Sequence, residues 1–278
     1  MDAGRLKLFD VHCHLQDRRI FASLQQIIEA SLACGLQHLG CNGCCEDDWD
    51  QVHNIATEHP AVIPNFGLHP WWVPRRSASW LDNLKKKLLE VPSAGLGECG
   101  LDRSARAPAD SFEDQCLVFH QQLQLANELQ RPVSVHCVKA FPELKRHLEQ
   151  EQPFGAGVIL HSWAGPAAMV KPLAAIPGVH FSISGHSLRS EKKAGPMLKE
   201  IPLDRLLLET DSPDGLLPQR ADAHHPLSDA SPDQRLNHPA NIRLVLQVVA
   251  ELREEDPAKV ASAAYDNAMR LFSSASDA

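Results

Sequence analysis

What the chain does not contain narrows it first. No apolar run approaches the roughly 20 residues that span a bilayer, so a membrane-embedded protein is not expected. The first residues, MDAGRLKLFDV, hold no signal-like apolar stretch and lead straight into a strand-like segment. The expected location is the cytoplasm, with the nucleus left open. A surplus of positive charge is missing as well. The formal net charge is −8, which argues against a protein that coats nucleic acid through a broad basic face. It does not exclude an enzyme that grips a few phosphates through metal ions and local cations. The clusters Arg75-Arg76, Lys85-Lys86-Lys87 and Lys192-Lys193 are short, as solvated helix faces or loops are. No G-x-G-x-x-G follows an early strand, as a doubly wound dinucleotide fold would want. No internal repeat, low-complexity tract or long linker divides the 278 residues. They read as one domain over 1–278, with a frayed tail at about 273–278.

Cysteine is present without the spacing of a secreted disulfide framework. Cys13, Cys34, Cys41, Cys44, Cys45, Cys99, Cys116 and Cys137 are expected as reduced thiols. Cys41-Asn42-Gly43-Cys44 has the two-residue gap of a zinc or redox pair. No second pair follows it and no helix clearly starts there, so the expectation for this pair is structural.

What the chain does contain is an alternation. KLFDVHCH reads as a strand and residues about 23–34 as a helix. LQHLGCNG precedes an acidic-capped helix from Glu46, VIPNFGLHP a helix over about 79–90, and AGLGECGLD a long helix from Ser111 to about Leu129. PVSVHC precedes a helix from Phe141 to Glu151, GVILHSW one from about Pro166 to Ala175, and HFSISG one near 191–200. RLLLETDSP is the eighth strand, followed by one long irregular loop, 214–237, and two closing helices. Eight strands alternating with helices is the count of an α/β protein of (β/α)₈ TIM-barrel type, with an open doubly wound sheet as the alternative.

In a barrel, catalytic groups come from the C-terminal ends of different strands. There are 15 histidines in the chain, so the pair His12 and His14 means little alone. Their partners give it meaning. His12 and His14 end strand one, His69 strand three, Glu98 strand four, His136 strand five, His161 strand six and Asp211 strand eight. Imidazoles and carboxylates at the ends of apolar runs are unfavourable unless paired or metal-bound. The period of two puts His12 and His14 on one face and turns Cys13 the other way. Cys99 and Cys137, each beside one of these residues, are likewise expected to pack against the helix layer. The set suits Zn²⁺, Mn²⁺ or Fe, or Mg²⁺ at oxygen-rich positions. It exceeds the needs of one tetrahedral ion and suffices for two, with Glu98 as the bridge. Asp211 is placed both to ligate and to take a proton from the attacking water.

Together these segments resemble the TatD-type metal-dependent deoxyribonucleases, within the amidohydrolase-like barrel superfamily. The resemblance runs through FDVHCHL, FGLHP, GLGECGLD, PVSVHC, ILHSW, LLETDSP and NAMRLF, and so covers essentially the whole chain. It implies a TIM barrel, one or two divalent ions (Mg²⁺, Mn²⁺ or Zn²⁺) per chain and phosphodiester hydrolysis on DNA, often from an end. It implies metal ligation by His12, His14, Glu98, His136, His161 and Asp211, with Glu98 and Asp211 catalytic. Glu209 matches an acid standing behind the ligands, and His69 a histidine near the substrate phosphate. The departures are Cys99 after Glu98, Cys137 after His136, and Lys139 alone where an Arg-Lys pair is common. Lys139 is therefore the weaker of the two substrate contacts. A hydrolase of amides or other esters on the same barrel is the second reading. Many such enzymes bridge their metals with a carboxylated lysine, where Glu98 stands here. A non-catalytic binding protein is the third, and the intact ligand set speaks against it. A monomer is the default expectation.

Overall fold

The computed structural model describes residues 6–217 and 236–273. Eight parallel strands lie in sequence order: β1 (Leu8–Cys13), β2 (Leu36–Asn42), β3 (Val62–Phe66), β4 (Gly95–Asp102), β5 (Val133–Val138), β6 (Val158–Leu160), β7 (Val179–Ile183) and β8 (Leu206–Leu208). Helices α1 (Leu24–Ala33), α2 (Trp49–Glu58), α3 (Trp80–Glu90), α4 (Phe112–Leu129), α5 (Phe141–Glu151), α6 (Ala167–Ala174) and α7 (Glu191–Glu200) connect successive strands. Two more helices, α8 (Ile242–Arg253) and α9 (Pro257–Ser273), follow the barrel. The expected TIM barrel is the observed fold.

The seam between β8 and β1 is closed just past the end of β8. Asp211 N–H donates to His12 O (3.0 Å), and His14 N–H donates to Ser212 O (2.7 Å). Asp10 adds a side-chain clasp across the same seam, accepting from Thr210 N (3.0 Å) and Thr210 Oγ1 (2.5 Å). Burial pushes the Asp10 carboxyl up to about 8 despite these donors.

Each helix buries one stripe against the sheet. In α8 the buried residues are Ile242, Val245, Leu246, Val248, Val249 and Ala250, the spacing of an amphipathic helix. A smaller apolar cluster ties Phe9, Val11, Ile159 and Leu207 to Ala268, Leu271 and Phe272 of α9. All eight cysteines are free. Cys13, fully buried, turns its thiol toward Gly40 O (3.5 Å) in the main core. Cys99 is equally buried and Cys137 packs against the same core. Cys13→Ala is therefore expected to keep turnover and to lose about 1 kcal/mol of stability, since only a small apolar group goes. Activity assay and urea unfolding check this; a large loss of turnover in folded protein would contradict the alternation of β1.

The helices fall within a residue or so of the sequence reading, with one exception. The helix expected from Glu46 begins at Trp49. Glu46 is drawn instead to Ser77 and Asn83 (2.8–2.9 Å), while Asp48 accepts from Cys44 and Cys45 N–H and shapes a turn. Most of the 214–237 loop, with Arg220, His224 and His225, lies outside the described residues, as does nearly all of the tail. No described helix is long and apolar enough to cross a membrane.

Candidate metal centre

Strand irregularity marks the site before side chains are considered. Along β1 and β2 the register shifts between Asp10 and Cys13, and along β4 and β5 between Leu96 and Cys99. These breaks bracket His12 and Glu98. Bulges of this kind re-aim side chains. At Gly100 (φ 138°) an added Cβ would lie 2.0 Å from His136 O, so only glycine lets β4 and β5 approach this closely.

The sequence reading placed every candidate at a strand end, and the structure sharpens this. His12 and His136 lie within β1 and β5, and Glu98 sits midway along β4. His161 is the residue after β6. His69 and Asp211 stand three residues past β3 and β8. Asp211 occupies the left-handed region (φ 55°), as do Ser162 (φ 44°) and Lys139 (φ 56°) at neighbouring strand ends. Such conformations gather where a side chain must be aimed rather than where the chain is most relaxed.

Glu98 is the hub, and its two oxygens serve different histidine pairs. Oε2 faces His12 Nε2 (3.6 Å) and His14 Nε2 (3.4 Å). Asp211 Oδ1 closes this group at 3.8 Å and 3.4 Å from the same nitrogens. Oε1 faces His136 Nδ1 and His161 Nε2, both at 3.0 Å. Within each pair the ring nitrogens nearly touch: 3.2 Å between His12 Nε2 and His14 Nε2, and 3.3 Å between His136 Nδ1 and His161 Nε2.

Three of the four imidazoles are hydrogen-bonded from behind, and the fourth, His161, faces a carboxylate there. His14 Nδ1 donates to Asn42 O (2.9 Å), which leaves the Nε2 lone pair pointing inward. His12 Nδ1 is engaged by Ser134 Oγ (2.8 Å). His136 Nε2 donates to Asp102 Oδ2 (3.2 Å), and His161 Nδ1 lies 3.4 Å from Glu209 Oε1. An outward partner on one ring nitrogen and an inward lone pair on the other is the way ligand histidines are fixed. Two nitrogens sharing one ion at bonds of about 2.1 Å stand about 3.0–3.4 Å apart. The two inner pairs match that spacing, so the donor set fits divalent metal.

His69 differs. Its Nδ1 accepts from Trp71 N–H (3.1 Å), so the ring proton sits on Nε2 and points at Glu98 Oε1 (3.3 Å). Burial holds its pKa down at about 4, so the ring stays neutral. A donor nitrogen facing the site suits an oxyanion better than a cation. Burial opposes charge on Glu98 and Asp211 too, but the surrounding imidazoles outweigh it and keep both carboxyls well below the usual range. The same pairing outweighs burial at His14 and lifts it to about 9. Lys139 is exposed at the end of β5, at the rim and not in the cluster.

Several site residues escaped sequence reasoning. Asp102 backs His136 and accepts from Trp71 Nε1 (2.6 Å); it shares the β4 parity of Glu98, which was a usable signal. His186 Nε2 reaches Asp211 Oδ2 (3.2 Å), and no pattern announced it. The Cys41–Cys44 pair was expected to be structural. Cys41 is buried packing, but Cys44 Sγ lies 3.6 Å from Glu98 Oε2. It stands two residues past β2, at the end of a barrel strand where site residues gather.

An eight-stranded barrel whose rim gathers imidazoles and carboxylates able to hold divalent metal defines a class: the metal-site hydrolase barrels. The sequence goes further. The model of the family described as TatD related DNase matches residues 9–273, and the chain belongs to that family. The 3'-5' ssDNA/RNA exonuclease TatD of Erwinia billingiae is 31% identical over 273 residues, 95% of this chain and 98% of that protein. The uncharacterized metal-dependent hydrolase YabD of Bacillus subtilis is 28% identical over 267 residues, with 95% and 98% covered. The crystal structure of YJJV, a TatD homologue from Escherichia coli, superposes with a TM-score of 0.84 at 24% identity, covering 96% of this chain and 98% of that one.

Proposed function

We propose that this chain is a metal-dependent deoxyribonuclease that hydrolyses phosphodiester bonds as an exonuclease on DNA ends or single strands. One observation carries the reading. Glu98 divides its oxygens between two imidazole pairs, three rings hydrogen-bonded on their outer nitrogen and the fourth, His161, set 3.4 Å from Glu209 Oε1. In this reading His12, His14, Asp211 and Glu98 would hold one divalent ion, and His136, His161 and Glu98 a second. Mg²⁺, Mn²⁺ and Zn²⁺ are the candidates. Family membership and relatives named as ssDNA/RNA exonucleases support the substrate class.

Bound divalent ions supply the positive charge that acidifies water and stabilises charge building on a phosphate. The chain's own residues do the rest. Asp211 takes the proton of the attacking water on a carboxylate oxygen, and His186 behind it steadies the carboxylate. His69 offers its Nε2–H to a non-bridging phosphate oxygen. Lys139, exposed at the rim, meets the strand farther out.

The test is cleavage of an end-labelled single-stranded DNA oligonucleotide across Mg²⁺, Mn²⁺ and Zn²⁺, with a chelator control. A ladder of shortened products that needs metal is expected. No cleavage by protein carrying stoichiometric metal would move the substrate to amides or non-phosphate esters. His12→Ala combined with His14→Ala is expected to lower bound metal by about half, read by elemental analysis, because one ion position loses both nitrogens. Unchanged stoichiometry would make the opening pair bystanders.

A further inference from the structure

The two ion positions are not chemically equal, and Cys44 is the difference. Its Sγ lies 3.6 Å from Glu98 Oε2 and 3.7 Å from His14 Nδ1, the ring nitrogen that donates to Asn42 O. Oε2 is the oxygen that faces His12 and His14. The donor atoms of His14, Cys44 and Glu98 all fall within 4.8 Å of one another, as those of His12, His14 and Asp211 do. A sulfur and an oxygen on one zinc-sized ion, with bonds of about 2.3 and 2.1 Å, stand about 3.1–3.6 Å apart as the angle between them opens from about 90° to tetrahedral. No cysteine joins the His136 and His161 side in any described group of donors.

Cys44 is also held in place. Its N–H donates to both oxygens of Asp48 (2.9 and 3.1 Å), and its carbonyl accepts from His69 N–H (2.9 Å). The turn that carries the thiol is thus tied to a half-buried carboxylate on one side and to a site histidine on the other. A thiol on a wandering loop would visit the site; this one is aimed at it.

We propose that Cys44 is a thiolate ligand to the ion held by His12, His14, Glu98 and Asp211, and gives that position a preference for thiophilic metals that the His136–His161 position lacks. As the sulfur–metal bond forms, the S–H proton leaves to solvent. Soft thiolate strengthens the bias toward Zn²⁺ and its like, whereas the nitrogen and oxygen donors opposite lack that added bias and leave more room for Mn²⁺. The two positions would then take different metals, the thiophilic one beside Asp211. The inference rests on the metal-centre reading of the site.

Co²⁺ titration of metal-free protein separates the two. In wild-type protein, visible ligand-field bands and a near-ultraviolet thiolate-to-Co²⁺ charge-transfer band are expected, the latter saturating at one Co²⁺ per chain. Cys44→Ser and Cys44→Ala are expected to lose the charge-transfer band and keep the ligand-field bands, which also report a folded site. In a competition between Zn²⁺ and Mn²⁺, both variants are expected to lose tenfold or more of the Zn²⁺ preference at one of the two positions. Ligand-field bands without a charge-transfer band in wild-type protein overturn the role of Cys44 alone. A charge-transfer band undiminished in both variants assigns the thiolate to another cysteine and overturns it too. No Co²⁺ bands of either kind overturn the metal centre along with it.

Discussion

Asp211→Asn is expected to lower the cleavage rate by about three orders of magnitude while leaving the barrel folded and at least half its metal bound. The substitution is nearly isosteric. Asparagine tolerates the left-handed backbone at this position (φ 55°) as aspartate does. The two backbone hydrogen bonds at the seam, which involve Asp211 N–H and Ser212 O, do not touch the side chain. What changes is chemistry. Oδ1, 3.4 Å from His14 Nε2, and Oδ2, 3.2 Å from His186 Nε2, both belong to a carboxylate that takes protons; an amide takes none. The His136–His161 side keeps its full donor set. Single-turnover kinetics with end-labelled DNA, circular dichroism and elemental analysis check the three parts. Near-normal turnover in the variant would remove Asp211 from proton transfer.

Glu98→Gln is expected to lower activity by a similar factor and, unlike Asp211→Asn, to empty both ion positions. One carboxylate serves both nitrogen pairs, so its loss cannot be confined to one side. His12, His14, His69, His136 and His161 all lie within 3.0–3.6 Å of its oxygens. Glutamine keeps the volume but replaces one acceptor oxygen with an NH₂ donor, which faces lone pairs or N–H groups whichever way the amide turns. Removing the charge also leaves buried imidazoles without their counter-ion, a change of about 3–5 kcal/mol for a broken buried pair. Thermal unfolding of the metal-free variant is therefore expected to shift well below wild type. Metal retained at full stoichiometry would show that Glu98 is not the bridge.

The barrel was legible because apolar runs and helical stripes alternate eight times, and parallel strands buried on both faces read as continuous apolar segments. The inward residues were legible for a related reason. His12, Glu98, His136, His161 and Asp211 interrupt or end those runs, and polar groups there need a partner. What stood behind them was harder. Asn42 reaches His14 with a backbone carbonyl and Ser134 reaches His12 with a hydroxyl, and neither residue type announces a site. Glu46 looked like a helix start because its partners, Ser77 and Asn83, lie on a distant stretch of chain. Cys44 was read through its spacing to Cys41, and only the folded turn at Asp48 brings its thiol beside Glu98.

The seam of the barrel and the proposed site are the same place. His12 stands on β1 and His14 just past it, Asp211 on the segment that closes against them, and the hydrogen bonds of closure run from Asp211 N–H to His12 O and from His14 N–H to Ser212 O. A ligand that gathers those three side chains is at once a rivet through the two margins of the cylinder. Filling the site should therefore damp breathing of the whole wall, and amide exchange at Asp211 and His14 should slow when Zn²⁺ or Mn²⁺ is added. The enzyme would then be least resistant to proteases when starved of metal, so that its lifetime becomes a gauge of the ion supply around it.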